Sequence, residues 1–194
     1  MSTLLPERPT GHVPVAAPVA DAAVPVVVAV PQAPVVAAIA AIPDPEVPVV
    51  TIEDLGILRE ASVDEDEHVV HVVITPTYSG CPAMDAIRMR IEHVAAREGY
   101  TASVTTRLRP AWTTDWMSAE GRDKLHAFGI APPGQRAAEV AAGPVSVGLS
   151  VRQVTCPRCG SVDTQEVSRF GSTACKALRR CRACGEPFDE FKAI

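Results

Sequence analysis

The stretch HVVHVVITPTYSGCPAMDAIRMRIEHVAAREGYTASVTTRL, residues 68–108, decides the fold of most of this chain. Its two ends, residues 68–75 and 101–108, are rich in β-branched residues and predict strands. Between them, Pro82 suits the first position of a helix and Gly99 suits its end. Apolar residues recur at helical spacing in this interval, at Ala83, Ile87, Ile91 and Val94. The segment therefore predicts a strand, a loop, an amphipathic helix and a second strand.

The flanking sequence supplies the other elements of this domain. Residues 57–63 predict a strand that forms a hairpin with residues 68–75 across an acidic turn, DEDE. Upstream, Pro34 opens a short helix, and Thr51 caps a helical turn that ends at Gly56. Downstream, Ser118 caps a last helix. The order α-β-β-α-β-α predicts an α+β fold, an open α/β sandwich whose small mixed sheet carries its helices on one face.

Composition divides the chain into four parts. Residues 1–33 are rich in Ala, Val and Pro, and their prolines interrupt any helix long enough to cross a bilayer, so we expect a disordered tail and no membrane partner. Residues 34–130 form the α/β domain, residues 131–150 a linker containing Pro and Gly, and residues 151–194 a ribbon. The net charge of -5 speaks against nucleic acid as a partner. No export signal is visible, so we expect a cytoplasmic protein. A homodimer is compatible with this composition.

The ribbon contains two C-x-x-C knuckles, CPRCG at 156–160 and CRACG at 181–185. Two such knuckles predict a closed tetrahedral site formed by Cys156, Cys159, Cys181 and Cys184. Zn²⁺ is the predicted metal and an iron–sulfur cluster the alternative, while two disulfides are a weaker interpretation for a cytoplasmic chain. Because such a site has no open coordination position, we expect its metal to be structural.

Two further features of the ribbon allow several interpretations. Cys175 is an extra thiol that could be redox-active, could be an additional ligand favouring a cluster over zinc, or is by default a small buried residue. Residues 168–185 contain no acidic residue, yet they carry Arg169, Lys176, Arg179, Arg180 and Arg182. These basic residues form either a solvated face or a surface that docks an acidic partner.

The sixth cysteine, Cys81, lies where the loop meets the start of the central helix. The helix dipole and nearby N–H donors at that position are expected to favour the thiolate. Asp44 and Glu46 lie in another loop that could approach this helix end, and Thr77 adds a hydroxyl. Together these residues predict a site for transient binding or transfer of iron or an iron–sulfur cluster. The alternative is a buried cysteine beside an acidic turn that faces water.

Several of these motifs together resemble a known family. DPEVPVVTIEDLGILRE at 44–60, followed by ITPTYSGCPA at 74–83, resembles the iron–sulfur cluster assembly (FSCA-type) domain. The continuation LRPAWTTDWMSAEGRDKLHAFGIAPP at 108–133, then FGSTACKALRRCRACGEPFDEFK at 170–192, is similar to one branch of it. That branch is the phenylacetic acid degradation family PaaD, also called PaaJ, and the resemblance covers residues 34–194.

The resemblance implies a role in aerobic phenylacetate breakdown. It maps the functional cysteine of the family onto Cys81 and the acid pair onto Asp44 and Glu46. The implied function is that of a maturation factor without catalytic activity, which loads or repairs the iron or iron–sulfur centre of phenylacetyl-CoA oxygenase. The oxygenase, with its di-iron centre, and its flavin and 2Fe–2S reductase would be the clients. A non-catalytic structural component of the oxygenase is the main alternative, and a redox enzyme using Cys81 or Cys175 is a weaker one.

Overall fold

The computed structural model describes residues 33–78, 80–134 and 153–193, which include three α-helices and seven strands. In chain order these are α1 Pro34–Ala40, β1 Leu58–Asp64, β2 Val69–Ile74, α2 Ala83–Arg97, β3 Thr101–Thr106, α3 Ala119–Phe128, β4 Ile130–Ala131, β5 Thr164–Ser168, β6 Lys176–Cys181 and β7 Pro187–Phe191. No helix within these ranges is both long and apolar enough to span a bilayer. The predicted tail lies outside the described residues except for its last position, and most of the linker lies outside them too.

The first three strands form a mixed sheet in the order β1-β2-β3. β1 is antiparallel to β2, as expected of a hairpin, and β3 is parallel to β2. Parallel neighbours need a crossover connection, which α2 provides. The apolar side chains of β2 that are buried belong to alternate residues, Val70, Val72 and Ile74, and Ile87 and Ile91 of α2 are buried with them in one core. The predicted α+β fold class is therefore confirmed.

The turn before β1 is closed by a reciprocal pair of hydrogen bonds. Thr51 Oγ1 accepts from the Asp54 N–H at 3.0 Å, and Asp54 Oδ2 accepts from the Thr51 N–H at 3.0 Å. This is a capping box with Asp in the position usually held by Glu or Gln. Asp54 also accepts from Ser118 Oγ at 2.9 Å and from Lys124 Nζ at 2.8 Å, so the turn is tied to α3. Ser118 caps α3 as predicted, because its Oγ accepts from the Gly121 N–H at 2.8 Å.

The ribbon shares its sheet with the α/β domain. β5, β6 and β7 are antiparallel, and β4 joins β7 in parallel, which gives the order β4-β7-β6-β5. Ala131, which the sequence assigned to the linker, therefore lies in a strand and pairs with Glu190. The Phe191 ring lies 6.2 Å from the Trp112 ring, and Phe191 is buried in the α/β core. The ribbon's own core is small. Phe191 buries part of the ribbon's apolar surface against the α/β domain instead.

Candidate functional site

The four knuckle cysteines converge at one end of the ribbon sheet. Their sulfur atoms all lie within 4.8 Å of one another, with 3.9 Å between Cys156 and Cys184 and 3.6 Å between Cys159 and Cys181. A tetrahedral ion with metal–sulfur bonds of about 2.3 Å requires sulfur–sulfur distances of about 3.8 Å. Both measured pairs lie close to this spacing, so the four thiols suit a four-thiolate metal site.

Each knuckle is closed by a backbone hydrogen bond to its first cysteine. The Gly160 N–H donates to Cys156 O at 2.9 Å, and the Gly185 N–H donates to Cys181 O at 3.0 Å. Both glycines have positive φ angles, 73° and 80°, which glycine adopts without a Cβ penalty. Four thiolates in this arrangement would fill a tetrahedral shell, so an ion bound there would hold the sheet together.

The fifth ribbon cysteine, Cys175, is not part of this four-thiol group. It belongs to the core cluster of the α/β domain, whereas Cys156 and Cys181 belong to the ribbon's own core. The idea that Cys175 is an extra ribbon ligand is therefore wrong. Its Sγ lies 3.9 Å from Glu46 Oε2 and 3.0 Å from Thr173 Oγ1.

Cys81 is half-buried and immediately precedes Pro82, the N-cap of α2. Burial raises the pKa of the Cys81 thiol, and the nearby charges of Glu46 and Asp44 raise it further. Hydrogen bonds from the Ala83 N–H and the Tyr78 hydroxyl lower the pKa, but by less. The predicted preference for thiolate is thus wrong for the metal-free protein, because desolvation outweighs the stabilising effect of the helix end.

The acidic turn does approach this helix end. Asp44 is buried, and its Oδ1 accepts from the Glu46 N–H at 2.9 Å and the Val47 N–H at 2.8 Å. Asp44 thereby shapes the turn and presents Glu46, which is half-buried. Burial raises the pKa of both carboxyls, and in Glu46 the charge of Asp44 adds to the increase.

Thr77, the remaining predicted member of this site, is buried and lines an adjoining cleft. The cleft has a volume of about 280 Å³, and Thr75, Pro76, Tyr78, Leu108, Ala111 and Trp112 complete its walls. Tyr78 connects the cleft to the cysteine: burial raises the pKa of Tyr78 to about 12, and the neighbouring Cys81 contributes to the increase. Thr77 therefore lines the adjoining cleft, and Tyr78 lies between this cleft and Cys81.

Two of the five residues of the predicted docking surface form ion pairs within the protein. Lys176 is buried and pairs with Asp189 at 3.2 Å, and Arg179 pairs with the buried Glu190 at 2.8 Å. Both acids lie on β7, outside the stretch 168–185 that contains no acidic residue. Arg169, Arg180 and Arg182 are exposed and remain candidates for a partner surface.

Comparison with known proteins defines the class. Residues 32–104 match the family model described as "Iron-sulfur cluster assembly protein", and residues 141–192 match the "PaaD zinc beta ribbon domain". The first match includes Asp44, Glu46 and Cys81, and the second includes all the ribbon cysteines. The molecule is thus an assembly-type α/β domain joined to a zinc-ribbon domain.

A relative that the chain covers over most of its length defines the family. The chain is 46% identical over 154 residues to a protein of Escherichia coli (strain K12) that is named as one of the subunits of a "Putative 1,2-phenylacetyl-CoA epoxidase". The match covers 79% of this chain and 87% of the relative. This chain therefore belongs to the PaaD family, as the sequence motifs predicted.

Two solved structures are similar to part of this chain. A domain of unknown function, DUF59, from Bacillus anthracis is 26% identical, with a TM-score of 0.43, and covers 47% of this chain and 87% of that one. A conserved hypothetical protein of Thermotoga maritima is 29% identical, with a TM-score of 0.39, and covers 47% and 89%.

Proposed function

We propose that this protein is an accessory maturation factor that helps assemble or repair the iron or iron–sulfur centre of phenylacetyl-CoA epoxidase, and that it is not itself an enzyme. The epoxidase and its flavin and 2Fe–2S reductase are the proposed clients. One observation carries the proposal. The half-buried Cys81 thiol lies at the start of α2, where the charge of Glu46 influences its pKa. Both residues fall inside the iron–sulfur assembly match.

The chemistry of these residues suits an ion that is handed on. A thiolate binds iron and iron–sulfur clusters strongly, and a carboxylate supplies a harder, more exchangeable ligand. Because Cys81 is half-buried, a client can reach it. A protein with this arrangement can hold iron as cargo and release it to a site with more ligands.

In the ribbon, we propose Zn²⁺ as the resident metal. Four thiolates in a closed tetrahedral set suit zinc, which has no redox chemistry of its own. Cys175, the ligand that would have favoured a cluster, lies in the other core. Zinc would contribute folding free energy to a ribbon whose own core is small.

A second candidate function is that of a structural component of the epoxidase, present at every turnover. The relative's name as an epoxidase subunit favours it, as does the exposed basic group Arg169, Arg180 and Arg182. A maturation factor, in contrast, acts before turnover. The two functions differ in whether the protein is needed once the client is loaded.

For the test, epoxidase and reductase are produced in cells that contain the wild-type protein, the Cys81→Ala variant or neither, and are then purified away from it. Their iron content and epoxidation activity are measured. We expect full iron and epoxidation with wild-type protein. A clear deficit of iron should appear in the other two preparations. Met89→Ala, which changes an exposed side chain on the same helix, is the matched control and should behave as wild type. Equal iron in all preparations would reject the maturation role. Activity that requires adding the protein back to fully loaded enzyme would support the structural role.

A further inference from the structure

The loop before β6 holds a ribbon thiol against the α/β domain. Cys175 is 5% exposed and is buried in the α/β core. Its carbonyl accepts from the Lys192 N–H at 3.0 Å, which ties this loop to the residue after β7. Thr173 Oγ1 contacts the sulfur at 3.0 Å. The position of the Cys175 sulfur is therefore set by contacts with both parts of the molecule.

This sulfur faces a carboxylate that is itself held in place. Cys175 Sγ lies 3.9 Å from Glu46 Oε2. Glu46 is oriented by the turn in which Asp44 accepts its N–H at 2.9 Å. The buried Lys176, next to Cys175, compensates part of the negative charge of this turn, since it lowers the pKa of both acids.

Cys81 approaches the same carboxylate from the start of α2. Both thiols pack against one core cluster, Cys175 within it and Cys81 at its margin. Burial raises the pKa of Tyr78, and the nearby Cys81, Glu46 and Cys175 add to the increase, so all three surround this residue. Three separate segments of the chain thus bring two thiols and a carboxylate to the junction of the domains.

The three side chains are more widely spaced than the ribbon thiols. Among the described residues, the group of three or more potential ligand atoms within 4.8 Å of one another consists of the four ribbon cysteines. Cys81, Cys175 and Glu46 do not form such a group. Cys81 and Glu46 are half-buried, and closing the three groups around one ion would require a change of rotamer.

We propose that Cys81, Cys175 and Glu46 together bind a divalent cation with affinity for sulfur, of the class of Fe²⁺, Co²⁺ and Zn²⁺, between the two domains. Two thiolates and a carboxylate suit these ions and not Mg²⁺ or Ca²⁺. Binding forms two metal–sulfur bonds and releases the two thiol protons to solvent. Three protein ligands leave a position open for exchange, in contrast to the closed ribbon site. The assignment of this ion as cargo iron rests on the proposed function.

The test uses the full chain with its ribbon loaded with one equivalent of Zn²⁺, titrated with Co²⁺ without oxygen. Thiolate-to-cobalt absorption and metal analysis report the binding. We expect wild-type protein to keep its zinc and to bind one further Co²⁺. Cys81→Ser, Cys175→Ser and Glu46→Gln should each weaken cobalt binding by at least about tenfold. Glu53→Gln, which changes an exposed acid in the next turn, is the matched control and should bind as wild type.

Cys175→Ala is a second variant, for use if Cys175→Ser does not fold with its zinc. The inference is wrong if wild-type protein binds no further cobalt, or if the Cys175 variants bind it with unchanged affinity. Loss of iron delivery by Cys81→Ala, together with unchanged cobalt binding in the Cys175 variants, would reject this site and leave the proposed function standing. Cobalt binding that needs both thiols, without any effect on iron delivery, would support this site and reject the function.

Discussion

Gly56 and Gly99 both have positive φ angles, 67° and 87°, but their surroundings differ. A Cβ on Gly56 would lie 2.6 Å from Trp116 O and 2.7 Å from Trp116 Cβ, whereas a Cβ on Gly99 would meet nothing within 4 Å. We predict that Gly56→Ala lowers the free energy of unfolding by about 2–5 kcal/mol, from backbone strain and overlap together. Gly99→Ala should lower it by about 1–2 kcal/mol, from strain alone. Urea unfolding measures both changes, and equal losses would contradict the role given to Trp116.

The cysteines also show how one residue type acquires different roles from its surroundings. Cys156 and Cys181 are buried among other thiols, in a group whose spacing suits a metal ion. Cys175 is also buried, but it lies beside the Glu46 carboxylate and the Thr173 hydroxyl. Its default interpretation as a small buried residue is correct. That interpretation does not reveal the neighbouring carboxylate, because Glu46 is 129 positions away in sequence.

At the scale of elements, Asp54 joins the turn before β1 to helix α3. Burial raises the pKa of Asp54, but hydrogen bonds from Lys124, the Thr51 N–H and Ser118 together lower it below its ordinary value of 3.8. The ionised carboxylate therefore stabilises the fold above about pH 4, and this contribution is lost as the pH falls through the folded-state pKa.

We predict that Asp54→Asn lowers the free energy of unfolding by about 1–3 kcal/mol at neutral pH, since hydrogen bonds to a charged group are lost. The difference from wild type should narrow as the pH falls below 3.8, and urea unfolding at several pH values measures it. Glu120→Gln is the matched control, because Glu120 pairs with the same Lys124 but is 75% exposed, and it should cost less than about 1 kcal/mol. A difference that stays constant with pH would show that the charge of Asp54 is not what stabilises this contact.

The two strands β6 and β7 show why two residues of the predicted docking surface are paired within the protein. Basic residues on β6 look unbalanced when only their own stretch of sequence is considered. In the sheet, Lys176 and Arg179 meet Asp189 and Glu190 of the neighbouring strand. Charge balance within a sheet is set by register, so the residues of a single strand do not reveal it.

At the scale of the whole molecule, Phe191 connects the ribbon to the α/β domain. Its ring is 1% exposed and contacts Trp112, and its strand continues the sheet begun by β4. We predict that Phe191→Ala lowers the stability of both parts together by about 3–5 kcal/mol, in a single unfolding transition. Calorimetry together with tryptophan fluorescence measures this change.

Phe170→Ala is the matched control for this prediction. Phe170 is an aromatic residue of the same ribbon but is 68% exposed, so its loss should change the stability by less than about 0.5 kcal/mol. If Phe191→Ala destabilises the ribbon alone and the α/β domain unfolds as in wild type, the two parts are independent. That result would support two separate domains joined by a linker.

Much of the fold could be predicted from local patterns in the sequence. Alternation in β2, helical spacing in α2 and the Ser118 cap of α3 each depend on residues within a few positions of one another. The four ribbon ligands are also a local pattern, because each knuckle needs only its own two cysteines and glycine. These features are determined by short-range backbone and side-chain preferences, which the sequence states directly.

Only the tertiary structure decided which distant groups meet. It placed Ala131 in the ribbon sheet and buried Cys175 beside Glu46. It also raised the pKa of the Cys81 thiol, although the helix end alone would lower it. The physical reason is the same in each case. Pairing, burial and electrostatic neighbours depend on how the two domains pack, and that packing is a sum over many contacts of long sequence separation that no local pattern encodes.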